Sequence, residues 1–294
     1  LEGSHRRARI TRERCRDLEN VHVINESFDH FSSDRKFDLI TLIGVLEYAP
    51  SFFKGMDPVK MLLEKAKELL KENGVMVVAI ENQLGLKYFN ACTEDHAGEL
   101  FFGINDRYKE ERFITFGKNE LISTLKKNGF TVDEMVFPFP DYKFPRLLVR
   151  EKSINETTPI LEHIIGQYPL RDYLHNFSPL FIEENVWPVI CRNRLISEFA
   201  NSFLVFATPK GCSSSPDLFE PWLFQTFSSA RSKRYLCSNS FFYEESGYFV
   251  KKELLYPEYK SCHTQDRSPV LHHTKREKVI QGTPYNQGLI NRLS

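Results

Sequence analysis

No stretch of this 294-residue chain approaches the roughly 18 uninterrupted apolar residues that a membrane-spanning helix needs, so no membrane span is expected. Neither sign of charge is in excess: Lys plus Arg and Asp plus Glu number 39 each. Without a net field the chain has no general pull on nucleic acid or on an acidic membrane surface. Its one basic cluster, Arg6, Arg7, Arg9, Arg12, Arg14 and Arg16, is laced with Glu13, Asp17 and Glu19 and reads as a solvated helix face. Nucleic acid is therefore not an expected partner. Cysteine is sparse, and Cys15, Cys92, Cys191, Cys212, Cys237 and Cys262 never form Cys-x-x-Cys. That scatter suits free thiols in a reducing, cytoplasmic setting better than a disulfide framework. Cys262, His263, His272 and His273 are metal-ligand types, but their spacing fits no zinc pattern and no metal site is expected. Also missing are a Gly-x-Ser-x-Gly elbow, a Walker-type loop and His-Glu-x-x-His, the usual marks of serine hydrolases, P-loop nucleotide binders and zinc peptidases.

What is present is an alternation of helical and extended patterns. Ala8, Thr11, Cys15 and Leu18 recur at helical spacing over residues 5–18, and Val21 to Ile24 reads as a short buried strand. Phe37 to Val45 is a longer apolar run, as in a parallel strand covered on both faces. In the next helix Asp57 can cap, Pro58 suits the first position, and Asn73-Gly74 is the expected stop. Val59, Leu62, Leu63, Ala66, Leu69 and Leu70 make its apolar face. A strand follows over 75–80, then a helix over 118–127 ending at Asn128-Gly129, a strand over 130–137 and a last one over 203–207. Residues 150–196 lack this rhythm and read as a mostly helical insertion. The order predicts an α/β fold with a doubly wound, mostly parallel, Rossmann-like sheet over residues 1–208. Pro, Gly, Ser and Cys crowd residues 208–217 as a linker. Residues 216–294 read as a smaller β-containing region, with a hairpin around Glu-Glu-Ser-Gly at 244–247.

In open parallel sheets, ligands bind beyond the carboxyl ends of the strands. The residues there are Asn25 to Phe28, Gly44 to Tyr48, and Glu81 with Asn82. Glu2 joins them if Leu1 closes a strand, where its carboxylate could accept both hydroxyls of a ribose; otherwise it is an exposed terminal residue. Polar strand ends of this kind also occur on purely structural sheets.

Longer motifs narrow the reading. Glu-Gly-Ser-x-Arg-Arg-Ala at 2–8, Phe-Asp-Leu-Ile at 37–40 closing on Gly-Val-Leu-Glu-Tyr-Ala at 44–49, and Leu-Leu-Lys-Glu-Asn-Gly at 69–74 resemble a class I S-adenosylmethionine-dependent methyltransferase. They match its second, fourth and fifth strand regions in order. Ile-Glu-Asn-Gln-Leu-Gly-Leu-Lys-Tyr-Phe at 80–89, Glu-Asp-His at 94–96 and Phe-Pro-Phe-Pro-Asp-Tyr-Lys-Phe-Pro at 137–145 resemble one bacterial group of that family. The group often sits beside or within glycosyltransferase polypeptides of cell-surface glycan synthesis. The similarity covers roughly residues 1–210.

The resemblance implies methyl transfer from S-adenosylmethionine to an oxygen of a sugar or cell-envelope metabolite, with a glycosyltransferase module as a partner. Glu2 would take the ribose, Ser27 and the backbone of Phe28 the adenine edge, and Gly44 would lie under the cofactor's amino-acid end. Glu81, Asn82, Glu94, Tyr108, Asp141 and Tyr142 would line the acceptor pocket. Transfer to a hydroxyl needs a positioned acceptor and a base for its proton. His96 is the expected base with Asp95 as its orienting carboxylate; alternatively both cap a helix or hold the insertion together. The family's Gly-x-Gly-x-Gly loop would lie upstream of Leu1, since no two glycines here stand two positions apart. The sequence is thus expected to be a fragment lacking the first strand. Two rival readings are a catalytically silent scaffold of glycan-synthesis enzymes and a bifunctional chain whose tail begins a kinase-like lobe. The second rests on Val250-Lys251-Lys252 and Tyr285-Asn286-Gln287-Gly288.

Overall fold

The computed structural model describes residues 1–109, 111–169, 178–212, 221–228, 232–244, 247–256 and 275–278. Its first helix, α1 (His5–Arg14), is capped by the Ser4 side chain. Strand β1 (Phe37–Ile43) leads through a 3₁₀ turn over Leu46–Tyr48 into the short α2 (Ala49–Phe52). Helix α3 (Pro58–Leu69) begins as the sequence predicts, with the Asp57 carboxylate accepting from the Lys60 N–H at 3.0 Å. Strand β2 (Leu70–Glu81) and the short α4 (Leu86–Phe89) follow, then α5 (Lys118–Lys127), β3 (Phe130–Phe139) and β4 (Leu147–Arg150). Helices α6 (Ile154–Ile164), α7 (Glu183–Arg192) and α8 (Ile196–Phe199) form the expected helical insertion before β5 (Ser202–Pro209). Strands β6 (Phe224–Phe227), β7 (Cys237–Glu244), β8 (Gly247–Leu254) and β9 (Lys275–Lys278) complete the described elements. No helix among the described residues is long and apolar enough to cross a membrane.

All nine strands join one sheet in the order β1-β2-β5-β3-β4-β6-β7-β8-β9. β1 and β2 pair parallel, whereas β2–β5, β5–β3, β3–β4 and the later pairs are antiparallel. The fold is α/β, but the sheet is mostly antiparallel where a mostly parallel one was expected. The physical reason is simple: an apolar run reports burial on both faces of a strand and says nothing of its direction. β5 returns to the sheet between β2 and β3, with Val78 opposite Val205 and Val136 opposite Leu204. Strands 224–254 continue this same sheet through β4, where Leu148 faces Gln225.

The core forms where α3 and α5 cover the sheet. Leu62, Leu63 and Ala66 of α3 and Leu121 and Leu125 of α5 are fully buried, together with Met76, Val78, Ile80, Phe137, Phe203 and Val205. Each large side chain so buried contributes about 1.5–3 kcal/mol, which concentrates the apolar stabilisation around β2, β5 and β3.

Three local expectations change. Val21 to Ile24 belongs to no strand, and Val21 and Ile24 are exposed. α1 ends at Arg14, four residues early, and Leu18 is exposed. Asn73-Gly74 does not stop a helix; it lies inside β2, because Leu70 already has strand dihedrals and faces Phe37. Gly74 serves close approach instead, since a β-carbon there would stand 2.9 Å from the Phe37 carbonyl oxygen. Cys262, His263, His272, His273 and Tyr285 to Gly288 lie outside the described residues.

Candidate active site

Because β1 and β2 run parallel, their carboxyl ends open on one edge of the sheet, and the residues that follow each strand meet there. After β1, Gly44 takes φ +63°, a left-handed conformation that favours glycine and turns the chain into the 46–48 turn. The turn carries Glu47 inward to 1% exposure. Glu81, the last residue of β2, is as deeply buried. His96 arrives on the loop after α4. Its Nε2 lies 3.9 Å from Glu47 Oε1, and its Nδ1 lies 2.9 Å from Glu94 Oε1. The ring stacks on Phe113 with centroids 5.0 Å apart and meets the edge of Tyr48 at 5.1 Å. Glu94 also builds the loop, accepting from the backbone N–H groups of His96 at 2.7 Å and Ala97 at 2.6 Å.

The loop after β3 supplies the other wall. Asp141 accepts from the N–H of Lys143 at 2.8 Å, and the Tyr142 N–H donates to Ser202 Oγ at 2.9 Å. So fixed, the Tyr142 hydroxyl donates to Glu81 Oε1 at 3.2 Å, and Lys143 Nζ bridges Glu81 Oε1 and Asp95 Oδ1, 2.7 Å from each. Asp95 is bound further by Lys87 and by the Tyr88 hydroxyl at 2.7 Å. The carboxylate on His96 is therefore Glu94; Asp95, the expected orienting partner, organises Lys87 and Lys143 instead.

The cluster's charges act strongly on one another. Burial, and then the charge of Glu81, pushes the Glu47 carboxyl up to about 7. For His96 burial opposes protonation, but the hydrogen bond to Glu94 and the charges of Glu94, Glu81 and Glu47 outweigh it and raise the pKa. Asp95 is held below the usual carboxylate range: burial alone would raise it, and Lys87 and Lys143 more than offset that. Burial first, then Glu81 and Glu47, raises the Tyr142 phenol, which stays a donor. Two buried oxygens, Glu47 Oε2 and Glu81 Oε2, have no hydrogen-bond partner among the described residues.

Glu2, Ser27, Phe28 and Gly44, the four residues expected to hold a cofactor, line a single groove of about 1590 Å³ with Val45 and Tyr48. Glu2 Oε1 accepts from the Ser4 N–H at 2.8 Å and pairs with Arg7 at 3.0 Å, contacts that lower its pKa. The Ser27 hydroxyl bonds Asp29, and Phe28 packs edge-on against Phe53 at 6.5 Å. Gly44 is the common wall of groove and cluster.

Two expected acceptor contacts are engaged elsewhere. The Asn82 amide donates to the carbonyls of Glu198 at 2.8 Å and Ala200 at 2.7 Å, while its oxygen accepts from the Leu84 N–H at 2.9 Å. Tyr108 shares a 2.6 Å hydrogen bond with Thr115 and packs against Phe113, one layer behind His96. Glu47 is the participant that sequence reasoning named only as a strand-end residue. The available signal was an acidic residue in an otherwise apolar Val-Leu-Glu-Tyr-Ala run just past a strand end.

No family model matches the sequence, and no curated protein does. Among solved structures, the chain is similar to an S-adenosylmethionine-dependent methyltransferase from Thermotoga maritima described as a possible histamine N-methyltransferase. The identity is 17% and the TM-score 0.38, covering 71% of each chain. A putative methyltransferase from Haloferax volcanii, solved with the Trm112 methyltransferase activator, matches at 13% identity and TM-score 0.40, over 72% of this chain and 70% of that one. A mycolic acid cyclopropane synthase complexed with SAH and CTAB matches at 17% identity and TM-score 0.37, over 70% of this chain and 67% of that one. With TM-scores below 0.5, the chemistry of the site has to be read from its own geometry.

Proposed function

We propose that this protein is a methyltransferase that moves a methyl group from S-adenosylmethionine to a hydroxyl oxygen of a small-molecule or glycan acceptor. One observation carries the reading: the groove of Glu2, Ser27, Phe28 and Gly44 and the buried Glu47–Glu81–His96 cluster lie on two sides of the same Gly44 turn. An adenosyl ligand calls for a carboxylate toward its ribose, an apolar surface for its base and close backbone approach at its charged end. Glu2, Phe28 and Gly44 offer one of each, and the groove has ample volume for a nucleoside-sized group.

When bound, S-adenosylmethionine supplies an electrophilic methyl group; the rest falls to the chain's own residues. His96 accepts the acceptor's hydroxyl proton at Nε2, the nitrogen turned toward Glu47. Glu94 on Nδ1 holds the ring and supports its charged form, while Phe113 and Tyr48 shield it from water. Tyr142 and Lys143 orient Glu81, and Asp95 is a positioning residue that fixes Lys143. The preference for a glycan acceptor, and a glycosyltransferase module as neighbour, rest on the resemblance at 80–89 and 137–145. A further strand bearing the glycine loop would pair along β1, whose Leu39 and Ile43 are exposed.

The test is calorimetric titration with S-adenosylhomocysteine of this chain, alone and extended upstream through a glycine loop. The extended form is expected to bind well and the shorter one weakly. In the extended form, Glu2→Ala should weaken binding by about 1.5–3 kcal/mol, the range for hydrogen bonds to a charged group. Failure of the extended form to bind, or indifference to Glu2→Ala, ends the reading.

A further inference from the structure

Glu47, Glu81 and His96 come from three separate segments, yet their donor atoms lie within 4.8 Å of one another. We propose that these three residues form a binding site for a divalent first-row metal cation of the Mn²⁺ type. Four observations carry the proposal.

The first is unsatisfied chemistry. Glu47 and Glu81 are each 1% exposed, and each has one buried oxygen without a hydrogen-bond partner. A buried carboxylate oxygen left bare costs free energy, and two of them in one cluster ask for a shared cationic ligand. The second is charge. Glu47, Glu81, Glu94 and Asp95 place four carboxylates around two ammonium groups, Lys87 and Lys143; in the forms that ligate a cation, every carboxylate ionised and His96 neutral, the cluster is two negative charges in excess. A divalent cation balances that excess.

The third observation is the orientation of the imidazole. His96 Nδ1 is hydrogen-bonded to Glu94 at 2.9 Å, which turns Nε2 toward Glu47. A ligating histidine almost always has such a carboxylate or carbonyl on its other nitrogen, because that contact fixes the tautomer and raises the basicity of the ligating one. The fourth is geometry. Bonds of about 2.1 Å to the metal put donor atoms roughly 3–4.2 Å apart. Three donors no more than 4.8 Å apart lie within about 2.8 Å of a common centre, so each moves inward by at most about 0.7 Å to reach bonding distance.

The donor set also selects the ion. Two carboxylate oxygens and one imidazole nitrogen, without thiolate, suit Mn²⁺, Fe²⁺ or Zn²⁺ better than soft Cu⁺. Mg²⁺ is less suited, since it prefers oxygen ligands and keeps its waters. Three protein ligands leave coordination positions for oxygens of another molecule. The role of the site rests on the methyl-transfer reading; its existence does not. In that role, which replaces proton uptake by Nε2 whenever the cation is bound, the cation holds an acceptor hydroxyl and makes it more acidic, and the proton is lost to solvent while Nε2 serves as a ligand.

The experiment is titration of metal-stripped protein with Mn²⁺, followed by the electron paramagnetic resonance of the free ion. It uses neither cofactor nor acceptor, so its failure leaves methyl transfer standing, and an inactive enzyme leaves the cation site standing. One saturable equivalent is expected, with nitrogen hyperfine coupling in pulsed spectra. Glu47→Gln, Glu81→Gln and His96→Gln should each weaken it at least tenfold, and Glu94→Gln by about 10- to 100-fold, the range for a residue behind a ligand. Glu99→Gln, on an exposed pair with Arg107, should leave it unchanged. Thermal melts of every variant separate loss of the site from loss of the fold, and nitrogen coupling in the wild type tests the site without any substitution. Absence of saturable binding, binding without nitrogen coupling, or equal binding by the folded Glu47→Gln, Glu81→Gln and His96→Gln variants would overturn the proposal.

Discussion

Tyr142 stands directly behind Gly44: its hydroxyl lies 2.9 Å from where a β-carbon on Gly44 would be, and 3.2 Å from Glu81 Oε1. This contact joins the groove, which Gly44 lines, to the buried acidic cluster that Tyr142 faces. Neither side can shift without the other.

Gly44→Ala therefore carries two costs. A left-handed alanine costs about 1–2 kcal/mol, and its methyl group would force the Tyr142 ring aside. Urea denaturation should find Gly44→Ala destabilised by about 2–3 kcal/mol in total. Adding Tyr142→Phe, which removes the clashing oxygen, should restore part of that loss but not the backbone portion. Purely additive effects of the two substitutions would show that the contact is not felt.

Turnover distinguishes the two carboxylates beside His96. Single-turnover methyl transfer should fall by roughly 10²- to 10⁴-fold in His96→Ala. Glu94→Gln, which alters the residue bonded to Nδ1, should cost more than Asp95→Asn. The reverse order would return Asp95 to the role of orienting carboxylate.

Asn82 was expected to touch an acceptor, but its side-chain amide ties the end of β2 to Glu198 and Ala200, in the segment entering β5, and its side-chain oxygen holds the Leu84 N–H. Asn82→Ala takes this partner from the buried Ala200 carbonyl and from the part-buried Glu198 carbonyl and Leu84 N–H, at about 1–3 kcal/mol for each group left bare in the interior. Thermal unfolding should show a drop of several kcal/mol with cofactor affinity retained by the folded fraction. A stable variant with an altered acceptor KM would instead support direct contact.

Burial pushes the Cys191 thiol up to about 12, with Glu162 adding to the effect. The thiolate is the reactive form, so Cys191 should resist iodoacetamide at pH 8 in the folded protein and react once it is unfolded, as read by mass spectrometry. The sign for stability follows from the raised value. The favoured thiol form contributes fully below the unfolded pKa of about 8.5, and that contribution is lost as pH rises from there toward about 12. Rapid native labelling at pH 8 would contradict the burial.

Local punctuation was the most legible part of the sequence. Asp57-Pro58 opens α3, Asn128-Gly129 closes α5 with Gly129 at φ +81°, and β7 and β8 pair antiparallel as far as Glu244 and Gly247, the two ends of Glu-Glu-Ser-Gly. These signals are local: a cap or a positive φ is satisfied within a few residues. Asn73-Gly74 misled because the same pair suits a helix stop and a strand that must pass close to Phe37. Strand direction was not legible, since apolar β-branched runs look alike either way along the chain. The groove residues came together because each follows a strand or a turn at one sheet edge. The Glu47–Glu81–His96 meeting was hidden, because it depends on how three distant segments fold onto each other.

β1 is the end strand of the described sheet, and Phe37, Leu39 and Ile43 are exposed along it. An end strand offers a row of open backbone donors and acceptors, and apolar side chains beside that row make it adhesive. Such a rim invites a further strand, the one the methyl-transfer reading places there, and wherever it is left uncovered it is the place at which copies of this chain would adhere.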